Sequence, residues 1–372
     1  MRLDQGFAAM SLFIAGLTGC ASSNHVTSYV AIEHMSTAKD GYQTIEPYLE
    51  RAAGETGAVM LVYNADGTIL YQASAGPMAV SDPVYVASAS KWVVAALVMT
   101  LVDEGLLELD APASQYAPYL TAELSRITLR QMLSHTSGMN SSNLVDARAN
   151  ASLQTFAREL AILPLESAPG TTLSYGGVSM QIAGAIMEEV SGQSFQALFL
   201  DRLAGPLEMQ GAYFCHPLNC DVENPEDVTN PLIGGGLKIS AEDFGAFLAM
   251  ISEGGVYKGR RILSEAALDD LSKVTTVGLA RGALPAISEA DWEYALGQWC
   301  HLNEPGEDCG ILQSVGAFGA YPWIDTQRGI YGIFVTESLI PLVIDDIIAM
   351  RTLIETAYDD SHPNTLADPY DD

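Results

Sequence analysis

The sequence predicts an α+β fold in which both ends of the chain contribute to one antiparallel sheet and the middle adds a mostly helical part. Strand-like segments lie near residues 57–71 and return between residues 294 and 336. Helix and turn signals dominate the intervening residues 105–230. The chain has 372 residues, of which 48% are hydrophobic, which is enough for one large domain with an ample core.

We place this domain at residues 44–358. Its sheet parts are expected at about 44–87 and 235–358, and its helical part at about 88–234. Residues 359–372 are acidic and contain proline, and this composition predicts a flexible tail.

The elements before residue 105 have clear local signals. Residues 43–53 predict a helix, and the runs 57–63 and 68–71 on either side of an Asp-Gly turn predict a β-hairpin. Residues 83–86 read as a short extended segment. Residues 91–104 are apolar nearly all round, which is typical of a buried helix.

The elements after residue 235 return to a mixed pattern. A helix is predicted over about 241–253, and a last helix over about 345–358. Between them the sequence predicts four strands, at residues 294–299, 310–315, 319–324 and 329–336.

The N-terminus resembles an export signal. Arg2 precedes an apolar stretch over about 7–18, which is shorter than the roughly 20 residues of a permanent membrane span. The stretch ends in Leu17-Thr18-Gly19-Cys20, which resembles a bacterial lipobox. We predict a signal peptide at residues 1–19, lipid attachment at Cys20 and a tether at 20–43, with an ordinary secretory signal as the alternative. Cys20 is followed by Ala21 and not by Asp, which resembles Gram-negative lipoproteins that are sorted to the outer membrane. We therefore expect a periplasmic protein that is anchored by lipid to the outer membrane.

The charge balance excludes one class of partner. Asp and Glu number 46 against 17 Lys and Arg, giving a net charge of −29. A nucleic-acid binder needs a basic surface, so no nucleic acid is expected as a partner. The acidity indicates a well-solvated surface, with steering of cationic substrates as the alternative.

The cysteines beyond Cys20 suggest disulfides. An exported protein meets an oxidising compartment, and four cysteines allow three pairings. Short loops favour Cys215–Cys220 and Cys300–Cys309, each worth on the order of 2–3 kcal/mol. The alternative is a zinc site, but the cysteines lack close metal-ligand spacing. We therefore expect neither a metal nor another cofactor.

The chemical argument centres on Ser88-Ala89-Ser90-Lys91. A serine hydroxyl needs a base, and residues three apart on a helix share one face, so Lys91 would lie beside Ser88. Burial disfavours the charged form of a lysine and so prepares it as a base. The helix N-terminus favours an oxyanion forming at Ser88. A second Ser-x-x-Lys copy at residues 36–39 lies in the predicted tether, with no buried helix after it, and is read as chance.

Wider stretches then match a known family. VASASK at 86–91, ELDAP at 108–112 and ITLRQMLSHTSGM at 127–139 resemble, in order and spacing, the β-lactamase-related serine hydrolases. Further matches are Pro169-Gly170 leading to Ser174-Tyr175, GPLEM at 205–209 and GGGL at 234–237. That family contains class C β-lactamases, D,D-carboxypeptidases, D-aminopeptidases and certain esterases, including those of family VIII type. The resemblance covers roughly residues 44–358, and it implies a β-lactamase/transpeptidase-like fold with Ser88 as nucleophile and Lys91 as base.

The family's second motif, Tyr-x-Asn, is only partly present. Tyr175-Gly176-Gly177 occupies it, and the resemblance implies that Tyr175 moves a proton between Ser88 and the leaving group. Gly177 replaces an asparagine that in relatives helps hold the lysine and the substrate amide. Gly177 is thus a predicted substrate-binding position where amide recognition is weakened.

The third motif is a strand with Lys or His, any residue, then Gly. Ser314-Val315-Gly316 matches it best, and these residues are predicted to bind substrate, with the Gly letting the substrate backbone lie close. The N–H groups of Ser88 and Ala317 would form the oxyanion hole, each donor typically worth about 2.7–4 kcal/mol. Ser314 replaces the cation that binds a substrate carboxylate. Losing that bond, roughly 1.5–3 kcal/mol, predicts β-lactam binding weaker by about 10- to 100-fold.

Two other features invite functional readings. His135 could serve a catalytic serine as its base, but the chain lacks the Gly-x-Ser-x-Gly turn that would accompany it, so we expect a hydrogen-bonded structural histidine. Gly234-Gly235-Gly236 lacks the following Gly-Lys-Ser/Thr of a phosphate loop and is expected to permit close packing beside the site.

The sequence thus predicts a serine hydrolase acting through an acyl-enzyme on Ser88, on small-molecule esters, amides or peptides. A strict β-lactamase or D,D-carboxypeptidase is the alternative. A lipid-anchored binding or sensory domain without turnover is the alternative from another class. Oligomeric state is left open.

Overall fold

The computed structural model describes residues 26–31, 45–142, 151–217, 220, 224–288, 292–302 and 309–362. The predicted leader, Cys20, the second Ser-x-x-Lys copy and residues 363–372 of the predicted tail lie outside these ranges. Among the described residues, no helix combines the length and apolar character that a membrane span requires.

The elements follow the predicted alternation of sheet, helices and sheet. The described strands are β1 (Val26–Ala31), β2 (Ala58–Asn64), β3 (Ile69–Ala75), β4 (Val84–Tyr85), β5 (Thr172–Leu173), β6 (Tyr213–Phe214), β7 (Leu237–Ile239), β8 (Val256–Tyr257), β9 (Arg260–Arg261), β10 (Ala280–Arg281), β11 (Trp292–Tyr294), β12 (Trp299–Leu302), β13 (Cys309–Gln313), β14 (Tyr321–Asp325) and β15 (Ile330–Thr336). The described α-helices are α1 (Glu46–Ala53), α2 (Ser90–Asp103), α3 (Leu129–Leu133), α4 (Leu153–Leu160), α5 (Val178–Ser191), α6 (Phe195–Phe199), α7 (Ala241–Ser252), α8 (Glu265–Ser272) and α9 (Ile340–Ser361).

One antiparallel sheet joins the two ends of the chain, as predicted. Its strand order is β1-β3-β2-β15-β14-β13-β12-β11, so β2 from the N-terminal part pairs directly with β15 from the C-terminal part. The hairpin of β2 and β3 turns at Gly67, whose φ of 81° suits the Asp-Gly turn. The predicted α+β fold class is therefore confirmed.

The predicted tether at 20–43 differs from the structure over β1. This strand pairs antiparallel with β3 and forms one edge of the sheet. The physical reason is that β3 would otherwise leave its backbone N–H and C=O groups unpaired, and the β-prone run Val26-Thr27-Ser28-Tyr29-Val30 can satisfy them.

Two predictions near the C-terminus were wrong in their boundaries. Residues 294–299 are not one strand, because the chain reverses at Gly297 (φ 77°) and divides this stretch between β11 and β12. The last helix begins at Ile340, earlier than expected, since Pro341 is tolerated in a first helical turn. It also continues to Ser361, past the predicted tail start at Asp359, which pairs with Arg328 at 2.7 Å.

The core lies on both faces of the sheet. Alternate residues of β2 enter different clusters: Val59 and Leu61 pack with helices α2 and α7, whereas Met60 and Val62 pack with α1 and α9. This two-sided burial fixes the register of the sheet. It also places the N-terminus of α2 against the sheet.

The part between the two sheet segments is less regular than predicted. Its longest described helices, α2 and α5, have 14 residues each and are mostly buried, while α3 and α6 have five residues each, with a 3₁₀ turn before α3 and a π turn after α6. Both favoured disulfides are present, Cys215–Cys220 and Cys300–Cys309. The second joins β12 to β13.

Candidate active site

The chain makes a sharp turn immediately before Ser88. Ala87 has a φ of 44°, in the left-handed region that costs an alanine about 1 kcal/mol or more. A 3₁₀ turn at Ala87–Ala89 then leads into α2, and the Ser88 side chain is half-buried at its start. The turn thus presents Ser88 at the N-terminus of a buried helix, where the helix dipole favours negative charge.

Lys91 lies beside Ser88, as the spacing predicts. Its Nζ is 3.2 Å from Ser88 Oγ, donates to the carbonyl oxygen of Gly234 at 2.6 Å, and lies 4.6 Å from the ring centroid of Tyr175. The residue is only 4% exposed. No ion pair among the described side chains includes Lys91. The buried Lys91 Nζ thus lies within hydrogen-bond reach of the Ser88 hydroxyl, as a proton transfer between the two would require.

Ser90, the other serine of the motif, has a different role. Its hydroxyl donates to the carbonyl oxygen of Ala87 and accepts from the N–H of Leu237 at 3.1 Å. Ser90 therefore ties the nucleophile turn to β7, and the glycines that precede β7 bring the acceptor of Lys91 into place.

The third-motif segment packs directly against the nucleophile turn. A Cβ on Gly316 would lie 3.0 Å from the carbonyl carbon of Val86 and would collide with its oxygen. The glycine is thus required by contact with the protein's own backbone, whereas the sequence suggested room for a substrate backbone. Ala317 follows at an exposed turn, and its N–H has no hydrogen-bond partner among the described residues. Its carbonyl accepts from the N–H of Ile340 at 3.0 Å, which fixes the turn against α9.

Ser314 and Val315 are more buried than substrate-binding residues would be expected to be. Ser314 is 3% exposed, and its Oγ lies 3.3 Å from the carbonyl oxygen of Gly297 and 3.4 Å from that of Ser88. The side chain of Val315 is buried in the apolar cluster on the α1 and α9 face. The Ser314 hydroxyl therefore links the end of β13, the β11–β12 turn and the Ser88 main chain, and a substrate contact through either side chain remains a prediction.

Tyr175 approaches Lys91 with its ring. The ammonium group over the ring face makes a cation–π contact. The Tyr175 ring also stacks on Trp299, with centroids 5.6 Å apart, and meets Tyr294 edge-on at 5.8 Å. The Tyr175 hydroxyl has no hydrogen-bond partner among the described residues, so it is free to meet a bound ligand.

His135 differs from its expected hydrogen-bonded role. It is 2% exposed, and neither ring nitrogen has a hydrogen-bond partner within the described part of the chain. Its ring lies between Tyr175 and Tyr294, at 4.4 and 4.9 Å between centroids. Burial, and secondly the charge of Lys91, hold the pKa of His135 well below its usual 6.5. A neutral imidazole thus packs behind Tyr175.

Gly176 and Gly177 close the second motif onto a neighbouring loop. A Cβ on Gly176 would lie 2.7 Å from Ser141 Cα, and Gly177 donates its N–H to Ser142 at 3.2 Å before α5 begins. The structure places the Tyr175 ring over Lys91, whereas Gly177 has no side chain to take the place of the family's asparagine. The acceptor that Lys91 uses instead is the main-chain oxygen of Gly234.

Three parts of the site were missed by sequence reasoning. They are the Gly234 carbonyl, the Gly297 turn and a loop at 276–288. Gly297 touches α2, because a Cβ there would lie 2.8 Å from Ala95 Cβ and from the Lys91 carbonyl carbon. The Gly234 carbonyl is a main-chain acceptor, and Gly297 contacts Lys91 across more than 200 residues of the chain. Neither kind of contact leaves a signal in the local sequence. No group of three His, Cys, Asp or Glu side chains among the described residues could hold a metal.

A serine with a buried lysine one helical turn later, on a sheet closed by both chain ends, is the arrangement that the resemblance to β-lactamase-related serine hydrolases predicts. Comparison with known families agrees: a model of the Beta-lactamase family matches residues 43–354, and the chain belongs to this family. The predicted resemblance is confirmed.

Individual relatives differ in activity. The Lovastatin esterase of Penicillium rubens is 27% identical over 236 residues, 51% of this chain and 59% of the esterase. The D-alanyl-D-alanine-carboxypeptidase/endopeptidase AmpH of Escherichia coli is 23% identical over 263 residues, 66% of each protein. The match thus spans less than two thirds of the length of either relative. A candidate beta-lactamase from Bacteroides dorei has a similar solved structure, with a TM-score of 0.71, 28% identity and coverage of 84% of this chain and 98% of that one.

Proposed function

We propose that the protein is a serine hydrolase that forms an acyl-enzyme on Ser88 and acts on carboxylic esters or small amides and peptides. The observation that carries the proposal is the 3.2 Å contact between Lys91 Nζ and Ser88 Oγ, with the amine buried and unpaired by any described carboxylate. Relatives that include an esterase and a carboxypeptidase support hydrolysis of an acyl bond.

In the proposed acylation step, Ser88 Oγ attacks the carbonyl carbon while its proton passes to Lys91 Nζ. The N–H groups of Ser88 and Ala317 stabilise the oxyanion that forms on the carbonyl oxygen. Collapse of this intermediate breaks the bond to the leaving group, which takes up a proton from the hydroxyl of Tyr175, and Lys91 returns a proton to Tyr175. Water then attacks the acyl-enzyme by the same route and releases the carboxylic acid and Ser88.

The substrate preference rests on two replacements. Gly177 stands where relatives use an asparagine amide, and the buried hydroxyl of Ser314 stands where they use a cation. Both losses weaken binding of an amide substrate that bears a carboxylate, whereas an ester needs neither partner. We therefore favour esters over penicillins.

The decisive experiment compares wild type and Ser88→Ala, both without the leader, by mass spectrometry after incubation with p-nitrophenyl butyrate and with a fluorophosphonate probe. We expect nitrophenol release and probe attachment at Ser88 in wild type, and a loss of turnover by about 10³-fold or more in the variant. An inert wild type, or equal labelling of both proteins, would sink the assignment.

The same assay separates the alternatives. Turnover of nitrocefin or of a D-alanyl-D-alanine peptide faster than of the ester would indicate a β-lactamase or a D,D-carboxypeptidase. Stable acylation of Ser88 without release of acid would indicate a binding or sensory protein that no longer turns over.

We also propose that the protein is exported and anchored by lipid at Cys20, on the sequence evidence of the lipobox-like Leu17–Cys20 stretch. Metabolic labelling with a fatty acid should mark the full-length protein and fail to mark Cys20→Ala. Equal labelling of both would leave only an ordinary secretory signal.

A further inference from the structure

A loop in the C-terminal part of the chain lies against the residues that precede Tyr175. This segment, residues 276–288, is called the strap below. Its short strand β10 pairs in parallel with β5, directly before Ser174 and Tyr175. The strap then accepts the N–H of Tyr175 on the carbonyl oxygen of Ala283, at 2.7 Å. The main chain of Tyr175 is thus held by the strap itself.

The contact between the strap and this segment is close along its length. The N–H of Gly282 donates to Leu173 at 2.8 Å, and the N–H of Ala283 lies 3.3 Å from Ser174 Oγ. A Cβ on Gly282 would lie 2.9 Å from Ser174 Oγ and 3.0 Å from Ser174 Cβ. Any lateral shift of the strap must therefore move Ser174 and Tyr175 with it.

The strap is anchored at two points on one carboxylate. Thr276 is buried, and its hydroxyl donates to Glu293 Oε2 at 2.5 Å, while Arg281 Nη2 pairs with Glu293 Oε1 at 2.6 Å. The side chains of Arg281 and Glu293 are 29% and 10% exposed. We name Thr276, Arg281 and Glu293 the Glu293 clamp.

The clamp also reaches the aromatic support of Tyr175. The N–H of Tyr294 donates to Thr276 Oγ1 at 2.8 Å, and the Tyr294 ring meets Tyr175 edge-on. A partly buried ion pair such as Arg281–Glu293 is weak evidence for stability by itself and is better attested as a device that fixes one arrangement. Through the strap, the Arg281–Glu293 pair holds Tyr175 in one position relative to Ser88 and Lys91.

We propose that the Glu293 clamp is a positioning device for the reaction: Arg281 and Thr276 hold the strap on Glu293 so that the hydroxyl of Tyr175 points at the leaving group. This inference rests on the proposed function. It predicts that loss of Arg281 harms the step that needs a proton from Tyr175 more than the attack by Ser88.

Two esters of one acid separate these steps. Ethyl butyrate must release an alkoxide that needs a proton, whereas p-nitrophenyl butyrate releases a stabilised phenolate that needs little help. The measurement is kcat/KM for both esters, expressed as their ratio, in wild type and Tyr175→Phe as the benchmark. Tyr175→Phe should lower the ethyl-to-nitrophenyl ratio by about 10- to 100-fold, because general acid catalysis contributes factors of this order or larger.

Arg281→Ala should lower the same ratio by about 10-fold or more, in the direction of Tyr175→Phe, and Arg281→Lys should restore it to within about 3-fold of wild type, since the charge is kept. Gly282→Ala displaces the strap without leaving Glu293 unpaired, and it should also lower the ratio. If Arg281→Ala fails to fold, the ethyl-to-nitrophenyl ratio of Gly282→Ala tests the positioning role in its place.

The matched control is Arg328→Ala. Arg328 pairs with the buried Asp325 at 2.7 Å, at an end of the sheet that is not part of the site. This variant should lose thermal stability with the ratio unchanged. The positioning role is overturned if Arg281→Ala leaves the ratio unchanged, or if Gly282→Ala does so when Arg281→Ala does not fold. An unchanged ratio in Tyr175→Phe overturns it as well. A wild type inactive on both esters would instead refute the proposed function.

Discussion

The two halves of the site are built on different principles. The nucleophile half, Ser88 and Lys91, is set by the i, i+3 spacing where a 3₁₀ turn runs into one buried helix, and its lysine is 4% exposed. The opposite half, Tyr175 and the turn at Ala317, is set by backbone contacts between distant segments, such as the 2.7 Å bond from Tyr175 N–H to Ala283. The first half is thus local in sequence, and the second depends on how separate loops pack.

The two halves also differ in how closely they match the motifs that the family resemblance predicts. The sequence keeps the local half intact and changes the packed half, with Gly177 and Ser314 in place of an amide and a cation. Lys91 donates to the Gly234 carbonyl and the Ser314 hydroxyl lies beside the carbonyls of Gly297 and Ser88, so main-chain contacts hold both side chains in place. Three variants would break or sharpen this contrast.

The largest effect is expected in the nucleophile half. Lys91→Met should lower kcat/KM for p-nitrophenyl butyrate by roughly 10²–10⁴-fold, because the base is lost. Its free energy of unfolding should be unchanged or higher, since an apolar chain replaces a buried amine without a described carboxylate partner. Kinetics and urea unfolding measure the two quantities.

Lys238→Met is the control for that change. Lys238 also lies over aromatic rings, at 5.5 Å from the Tyr85 centroid and 6.0 Å from that of Tyr213, but on β7 and outside the proposed machinery. It should retain activity. Equal losses in both variants would show that the Lys91 effect is structural.

An intermediate effect is expected where the two halves meet. Gly316→Ala places a methyl group against the Val86 carbonyl and must push the Ala317 turn away from Ser88. We expect kcat to fall by roughly 10- to 100-fold, with overpacking costing about 1–3 kcal/mol of stability. Gly211→Ala, whose added Cβ would have Pro83 Cγ as its nearest neighbour at 3.3 Å, is the control. Retention of full activity in Gly316→Ala would argue against Ala317 as an oxyanion donor.

The smallest effect concerns stability against pH and tests the packed half. His135 stays neutral in the folded protein, whereas in the unfolded chain its pKa returns to about 6.5. The unfolded state therefore binds one more proton as the pH falls below about 6.5, and the folded state loses stability by about 1.4 kcal/mol per pH unit there. His135→Phe should remove that slope between pH 6.5 and the lower folded pKa.

Urea unfolding at several pH values from about 6.5 downward checks this expectation. His362→Phe, which removes an exposed imidazole, is the control. Parallel pH profiles for wild type and His135→Phe would mean that His135 takes up its proton in the folded protein as readily as in the unfolded chain.

The sequence by itself determined the fold class and the family, favoured the two disulfide pairs that the structure contains, and predicted that Lys91 lies beside Ser88. Each of these follows from short-range signals: strand and helix periodicity, motif order, loop length and helix spacing. It failed on β1 and on the strand at 294–299, because edge pairing and a reversal at Gly297 are decided by partners elsewhere in the chain.

Only the tertiary structure decided what surrounds that pair. In the structure, the Gly234 carbonyl accepts from Lys91 and the Ser314 hydroxyl lies beside backbone carbonyls. The ring nitrogens of His135 have no hydrogen-bond partner among the described residues, and the strap holds the main chain of Tyr175. The physical reason is that these contacts join main-chain groups and buried rings from segments distant in sequence. Main-chain groups occur in every residue and aromatic rings in many, so the tertiary packing decides which of them meet.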